Sequence, residues 1–363
     1  MDSKCGIGNT NRFWESDAAV NTIGEGNAMK RFVFTWLLML AIVSAVRAEQ
    51  LVLVAGGGKG PDGSAAIEAA IGQPFGVAID KEGNLFIADF TEHRVRKVDP
   101  QGIISTVGGT GKNEYGGDGG PATSGAFNGM HDLVLSEQGD IYVADSYNFR
   151  VRKIEGKTGQ LTTVAGNGKK GISGDGGPGT AASLDGIASL YFDPTGTKLY
   201  MTGFSSVVRV LDVTSGIIET VKGLPGGRSV AVDSQGNVYV GGGSTLRVLR
   251  PAGKVEVLLD KNTTEPGTLT IGDNTKHLGF DAEENLFIAD DFGHAIKKYL
   301  VAEKKLVPVA GSGKRGTKGL PGPPLEAELD GPHGVYFHRP TNTIYLCDSR
   351  NKRVLKIIRD AKP

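Results

Sequence analysis

Gly83-Asn84-Leu85-Phe86-Ile87-Ala88-Asp89 decides the fold, because it returns as Gly139-Asp140-Ile141-Tyr142-Val143-Ala144-Asp145 and again from Asn285 to Asp290. Each copy sits in the same larger frame. An apolar strand comes first, as in Phe75-Gly76-Val77-Ala78-Ile79-Asp80. A turn built on Gly-Asn or Gly-Asp follows, and then a second strand ending in Ala-Asp. A third strand, Arg94-Val95-Arg96-Lys97-Val98, and a fourth, Ile103 to Gly109, complete the unit. Four short strands joined by tight turns make one propeller blade.

Six copies are present. Their first strands begin near Phe75, His131, Ala188, Arg228, Lys276 and His333, and their second strands end at Asp89, Asp145, Gly203, Gly241, Asp290 and Asp348. Only five fourth strands follow, because the last copy stops after Arg353-Val354-Leu355-Lys356-Ile357-Ile358. The missing strand lies at the other end, where Leu51-Val52-Leu53-Val54-Ala55-Gly56-Gly57 reads like Leu161 to Gly166. The predicted fold is therefore all-β: a six-bladed propeller of four-stranded blades over 49–363, its ring closed by the N-terminal strand joining the last blade. No segment after residue 50 carries a helical period beyond about two turns.

Met29-Lys30-Arg31, an apolar core from Phe32 to Val46, and Val46-Arg47-Ala48 read as a secretory signal over 29–48, cut after Ala48. The core holds 15 residues, short for a membrane span of about 20. Residues 1–28 read as a polar extension without structural pattern, with Met29 a plausible start. The chain is thus expected to be exported (periplasmic, cell-surface or secreted) without stable membrane insertion once the signal is removed. Lys plus Arg and Asp plus Glu each total 40, and zero formal charge argues against a nucleic-acid partner. Only Cys347 remains after cleavage, so no internal disulfide can form; export without disulfides fits a bacterial envelope protein.

The units Asn84 to Asp89 with His93-Arg94-Val95-Arg96-Lys97, Tyr142 to Asp145 with Asn148 to Lys153, and Tyr345 to Val354 resemble NHL repeats. The linkers Gly116-Gly117-Asp118-Gly119-Gly120-Pro121 and Gly174-Asp175-Gly176-Gly177-Pro178 resemble inter-blade loops of bacterial NHL proteins. The resemblance covers about residues 51–358. It implies the propeller fold, and a choice among sensor, adhesion, RNA-binding or protein-binding modules and a metal-dependent amidating lyase; related six-bladed folds include metal-dependent lactonases. The third and fourth copies depart from the pattern, since Met201-Thr202-Gly203 and Val240-Gly241-Gly242 lack the Ala-Asp ending.

Two places could carry chemistry. The long linkers at Gly57–Ala66, Gly109–Thr123, Gly166–Ala181 and Gly311–Pro324 share one face of the disc, where they could bind a partner or simply cover the rim. The starts of the first strands ring the channel mouth. Aligned on Asp80, they bring His131, Arg228, Lys276 and His333 to equivalent places, with His277 one step along. Three imidazoles could bind Zn²⁺ or only hydrogen-bond across the axis. Arg228 and Lys276 could hold a ligand carboxylate. Asp118 and Asp175 could meet Ca²⁺, but one Asp beside glycines supplies too few oxygens and reads as a turn. Asp89, Asp145, Asp290 and Asp348 are expected to accept turn N–H groups or pair with Arg94, Arg150 or Arg353. His93 and His294 are expected to be solvated. The leading expectation is an exported scaffold that binds a protein, peptide or small molecule through its loop-rich face. The alternative is a metal-dependent lyase or hydrolase with His131, His277 and His333 as ligands.

Overall fold

The local chemistry of the repeat explains each hairpin. Asp80 closes the turn after the first strand by accepting the N–H groups of Glu82 at 3.1 Å and Asn84 at 2.8 Å. Asp233 does the same for Gln235 and Asn237, and Asp281 for Glu283 and Asn285. The flanking segments, rich in Val, Ile, Leu and aromatics, suit a packed pleated surface. In the computed structural model, which describes residues 49–261 and 269–358, these hairpins build six antiparallel sheets. The helical elements among the described residues are single 3₁₀ turns. The leader read at 29–48 and the extension at 1–28 lie outside the described residues.

The innermost strands of blades 1 to 6 are Pro74–Ile79, Met130–Leu135, Ile187–Phe192, Ser229–Val232, Thr275–Phe280 and Pro332–His338. Each blade then runs outward through three further strands, and the apolar core lies between successive blades. The sixth blade is completed as expected: Gln50–Gly56 pairs antiparallel with Arg353–Ile358, from Gln50 opposite Ile358 to Gly56 opposite Arg353. Leu51 in that strand is fully buried against Leu346, Leu355 and Ile357 of its own blade and Phe287 of blade 5.

The four long linkers turn out to serve the rim. Each runs down the outermost strand of the blade that follows it. The Gly63 and Ala66 N–H groups reach the Ile104 and Gly102 carbonyls; the Gly119 N–H reaches the Leu161 carbonyl and the Leu161 N–H reaches the Gly120 carbonyl; the Gly176 N–H reaches the Ile218 carbonyl; and Leu51 and Gly322 bond each other reciprocally. Unpaired strand edges invite association with other chains, and these linkers occupy the edges of blades 1, 2, 3 and 6. Of the two roles open to them in the sequence, the structure displays edge covering.

A charge staple holds three of the linkers in place. Asp118 bonds Arg152 at 2.6 Å, Asp175 bonds Arg209 at 2.8 Å, and Asp62 engages Arg96. The aspartates considered for Ca²⁺ are thus committed to guanidinium groups. On the inner side Arg152 meets the fully buried Asp145 at 3.2 Å, and Arg353 meets Asp348 at 2.7 Å. In blade 5 Lys297 takes this place, 2.5 Å from Asp290. The expected partners Arg94 and Arg150 do not pair with Asp89 and Asp145. They sit directly opposite these aspartates in the ladder but reach instead for the Thr110 and Asn167 carbonyls. In blade 2 the carboxylate is reached by the diagonal neighbour on the same sheet face, Arg152. The strand-end aspartates also accept backbone N–H groups from Gly72, Asn128 and Asp330, which fixes the approach to the inner strand. Burial pushes the Asp145 carboxyl up to about 6, against the donors from Asn128, Asn148 and Arg152.

Two outcomes are expected. Removing residues 50–56 takes away the closing strand, so circular dichroism should show no cooperative melt; a deletion protein melting at the wild-type temperature would refute the closure. Replacing Arg152 by Ala leaves Asp145 buried without its charge partner and should cost about 3–5 kcal/mol. Asp118→Ala should cost less, because Asp145 still neutralises Arg152. Urea midpoints compare the two, and equal losses would show that Asp145 needs no partner.

Candidate functional site

The inner strands converge on the axis, so equivalent positions become rings. The outer ring consists of Phe75, His131, Ala188, Arg228, Lys276 and His333. The next consists of Gly76, Asp132, Ser189, Ser229, His277 and Gly334. The turns between second and third strands stand above the outer ring and add Phe90, Tyr147, Phe204, Asp291, Phe292 and Arg350.

His131 is the hub of an aromatic cluster. Its ring meets Phe75 at 5.3 Å, Phe90 at 4.9 Å, Tyr147 at 5.7 Å, Phe204 at 5.3 Å and His333 at 5.9 Å between centroids. Phe75 stacks on Phe90 at 4.3 Å and on His333 at 3.9 Å. Most of these contacts are edge-to-face or offset, the favoured aromatic geometries. The cluster does not close over: Tyr147 is 46% exposed, Phe204 39% and Phe292 61%, so apolar rings face outward at the mouth. Two glycines make room for them. A Cβ at Gly129 (φ +64°) would lie 2.3 Å from the Tyr147 ring, and one at Gly186 (φ +50°) 2.0 Å from Phe204.

Cations share this mouth. The Arg228 guanidinium lies over the Phe204 ring, 4.3 Å from its centroid. Among the described residues it meets no carboxylate. Lys276 pairs with Asp291 at 3.5 Å, and Asp291 also receives Arg350 at 2.8 Å. Burial lowers the pKa values of Arg228 and Lys276, and on Lys276 the field of Arg228 acts in the same direction.

The three expected metal ligands occupy separate environments. His131 bonds the Gly129 carbonyl and Ser146 through Nδ1, at 3.0 Å and 2.9 Å. Burial, with help from Arg228 and Lys276, lowers its pKa to about 4. Burial also holds His333 well below its ordinary value, and the neighbouring His131, Lys276, His277 and Arg228 add to this. The His333 Nδ1 faces the Phe75 carbonyl at 3.3 Å, while its buried Nε2 has no partner among the described residues. His277 lies one ring deeper. It spans the channel to Asp132 at 3.2 Å through Nε2 and reaches the Val335 carbonyl at 3.1 Å through Nδ1. Burial opposes its protonation, but the Asp132 carboxylate overrides burial and raises the pKa. Asp132 also accepts the N–H groups of Leu133 and Leu190, each at 2.8 Å. Among the described residues no three His, Cys, Asp or Glu side chains converge to hold a metal ion. The sequence placed three imidazoles near one axis but could not show that Asp132 engages His277.

Arg228 and Lys276 are brought together with His131 and His333, as the alignment of the copies implied. The aromatic ring-bearers were missed. Their signal is an aromatic residue one or two places after a strand that ends at the mouth: Asp89-Phe90, Gly203-Phe204, Asp145-Ser146-Tyr147 and Asp290-Asp291-Phe292. Asp132 was missed too, although an acid inside the apolar run Leu133-Val134-Leu135 marks it. His93 and His294 are half-buried rather than solvated. Their Nδ1 atoms accept the Gly129 and Gly331 N–H groups of the next blade, at 3.3 Å and 3.4 Å. Cys347 is buried and free, as expected.

Comparison with known proteins gives matches to the NHL repeat over residues 127–154 and 329–357, and to the teneurin NHL domain over residues 52–115. NHL repeat-containing protein 2 of Gallus gallus is 36% identical over 106 residues, 29% of this chain and 14% of that protein. Protein SUPPRESSOR OF QUENCHING 1, chloroplastic, of Arabidopsis thaliana is 26% identical over 322 residues, 77% of this chain and 30% of that protein. The chain therefore spans less than a third of either relative's length. An auxiliary nutrient binding protein from Bacteroides thetaiotaomicron shares the fold with a TM-score of 0.63 at 13% identity, over 85% of this chain and 76% of that one.

The linkage of His131 has a definite sign. Its folded pKa, about 4, lies below its ordinary value of 6.5. The unfolded chain therefore binds the extra proton first, and stability present above pH 6.5 is lost as the pH falls towards 4. The His131→Phe variant should show a shallower decline of melting temperature across that window than the wild type. Parallel declines would mean that His131 is not buried as a neutral ring.

Proposed function

Given that the chain is an NHL-repeat protein built as a six-bladed propeller, we propose that it is a ligand-binding module whose recognition surface is the channel mouth. One observation carries this reading: a half-buried guanidinium, without an ion-paired carboxylate among the described residues, stands beside aromatic rings left open to solvent, on the loop-bearing face. Aromatic anchors and arginine are the side chains that concentrate binding energy at recognition sites. Rigid inner strands hold them, as a preorganised site requires. The long linkers of that face, occupied with the rim, leave the mouth as the surface for a small molecule or the end of a peptide. A metal-dependent lyase or hydrolase would need ligands converging on one point, whereas His131 is bonded to Gly129 and Ser146 and His277 to Asp132 and Val335, and among the described residues only the His333 Nε2 is a buried ring nitrogen without a partner.

Export belongs to the same proposal, supported by the leader read at residues 29–48 and by the absence of any helix among the described residues long and apolar enough to cross a membrane. The balance of 40 basic and 40 acidic residues supports a partner other than nucleic acid.

The test is a small-molecule and peptide screen read by thermal shift, comparing the wild type with a Tyr147→Ala, Phe204→Ala double variant. Both side chains are partly exposed, so truncation should leave the ring folded. Ligands that stabilise the wild type should lose at least most of their effect in the variant. Equal stabilisation of both proteins would place recognition elsewhere.

A further inference from the structure

We propose that the mouth selects a carboxylate of single negative charge carried on an aromatic body, with Arg228 as the group that reads the charge. The proposal rests on the mouth being the binding surface and adds the chemical class of what it binds. The first argument is charge balance. Lys276 is neutralised by Asp291. Arg350 lies between Asp291 and Asp330, the second of which also receives Arg315 at 2.9 Å. These acids are spent on the cations of blades 5 and 6. Arg228, on blade 4, forms no ion pair with a carboxylate among the described residues; Asp291 acts on it only at a distance, and Lys276 of the adjacent blade adds a cationic field. A half-buried guanidinium without a carboxylate is a costly arrangement, and one negative charge relieves it.

The second argument is geometry. The face of the Arg228 guanidinium is taken up by Phe204. Its N–H donors lie at the edge of that plane, where a planar carboxylate can accept two parallel hydrogen bonds. The same contact sets the body of the ligand. A carboxylate lying in the guanidinium plane carries its substituent along the Phe204 ring. There Tyr147 runs nearly parallel, at 12° and 6.2 Å, and Phe90 stands edge-on to Tyr147 at 6.0 Å. A flat apolar ring matches this surface through the offset and edge-on contacts that aromatic groups favour.

The third argument is the state of the histidines. Four groups face His131: Tyr147 from its own blade, and Arg228, Lys276 and His333 from the others. Two of them are cations that disfavour its protonation. Neutral imidazoles add no positive charge that would call for a dianion. A bound carboxylate would weaken the cationic field at His131 and raise its pKa. By reciprocity, the affinity for the ionised carboxylate must then rise as the pH is lowered towards 5, while the ligand's own protonation lowers its ionised fraction over the same range.

The experiment titrates the protein with 3-phenylpropionate, with its neutral isostere 3-phenylpropanamide, and with inorganic phosphate, by calorimetry at pH 7 and pH 5. The carboxylate should bind the wild type about 10- to 100-fold more tightly than the amide, the range for a hydrogen bond to a charged group. Arg228→Gln should abolish that preference while retaining amide binding, and its melting temperature reports folding independently. In the wild type the affinity, corrected for the ionised fraction of the ligand, should be higher at pH 5, with an upward shift of the His131 imidazole pKa seen by NMR. Equal affinity for acid and amide, or preference for phosphate, overturns the carboxylate assignment while the mouth remains the binding surface. A preference that survives in a folded Arg228→Gln protein overturns the role of Arg228. If neither aromatic probe binds at millimolar concentration, both this proposal and the reading beneath it fall. If the amide binds and the Tyr147→Ala, Phe204→Ala variant loses it, the mouth reading stands alone.

Discussion

Everything in this molecule depends on the antiparallel pairing of Gln50–Gly56 with Arg353–Ile358. A ring of blades has no core of its own; each blade buries its faces only against its neighbours. Left open, the sixth blade would expose one apolar face and one strand edge, and the first blade would expose another face. Joining residues about 300 apart carries an entropic cost that grows only logarithmically with loop length, so one well-packed strand can hold the circle. Leu51 shows how: it bonds Gly322 of the rim linker and buries its side chain between blades 5 and 6. Closure also forces the inner strands to converge, and convergence turns six separate strand starts into a mouth.

The repeat is regular where it builds and irregular where it can bind. In blades 1, 2, 5 and 6 the strand-end aspartate accepts N–H groups or cations and locks the approach to the inner strand. Blade 3 has Gly203 there, and the Gly186 carbonyl sits 1.9 Å from where a Cβ would be, so an aspartate cannot be accommodated without movement. Thr202 takes over part of the task by accepting the Gly227 N–H at 3.1 Å. The freed space lets Phe204 fold across Gly186 towards the axis, where Arg228 of the similarly divergent blade 4 lies on it. The two copies that break the repeat thus supply the paired aromatic and cation of the mouth.

This explains what could be read from the sequence and what could not. The blades, their order and the closing strand were legible because they follow from period, turn chemistry and counting: five fourth strands for six copies, with one spare strand at the N-terminus. The equivalence of His131, Arg228, Lys276 and His333 was legible for the same reason. Side-chain partnerships were not. Alignment put Arg94 and Arg150 opposite the aspartates, yet in blade 2 it is the diagonal Arg152 that bonds Asp145. Alignment likewise placed His277 near its fellow histidines, whereas its partner Asp132 belongs to a blade across the channel, 145 residues away in the chain. Such contacts depend on how the blades are tilted about the axis, which no single repeat encodes.

The two layers of the channel show how electrostatics separates structure from recognition. In the deeper layer His277 is bonded to Asp132, whose carboxylate also satisfies inner-strand N–H groups that would otherwise face the channel unpaired. Among the described residues the polar side-chain atoms of His277 and Asp132 all have partners. In the outer layer two imidazoles are held neutral, one cation is shared with an acid, and Arg228 rests on an aromatic face, its donors unused among the described residues. Neutralising Arg228 internally would require a carboxylate at the mouth, but the acid placed there, Asp291, is already divided between Lys276 and Arg350. Keeping such a charge half-buried adds no stability, which is why the proposed role of Arg228 is attraction of a ligand from outside.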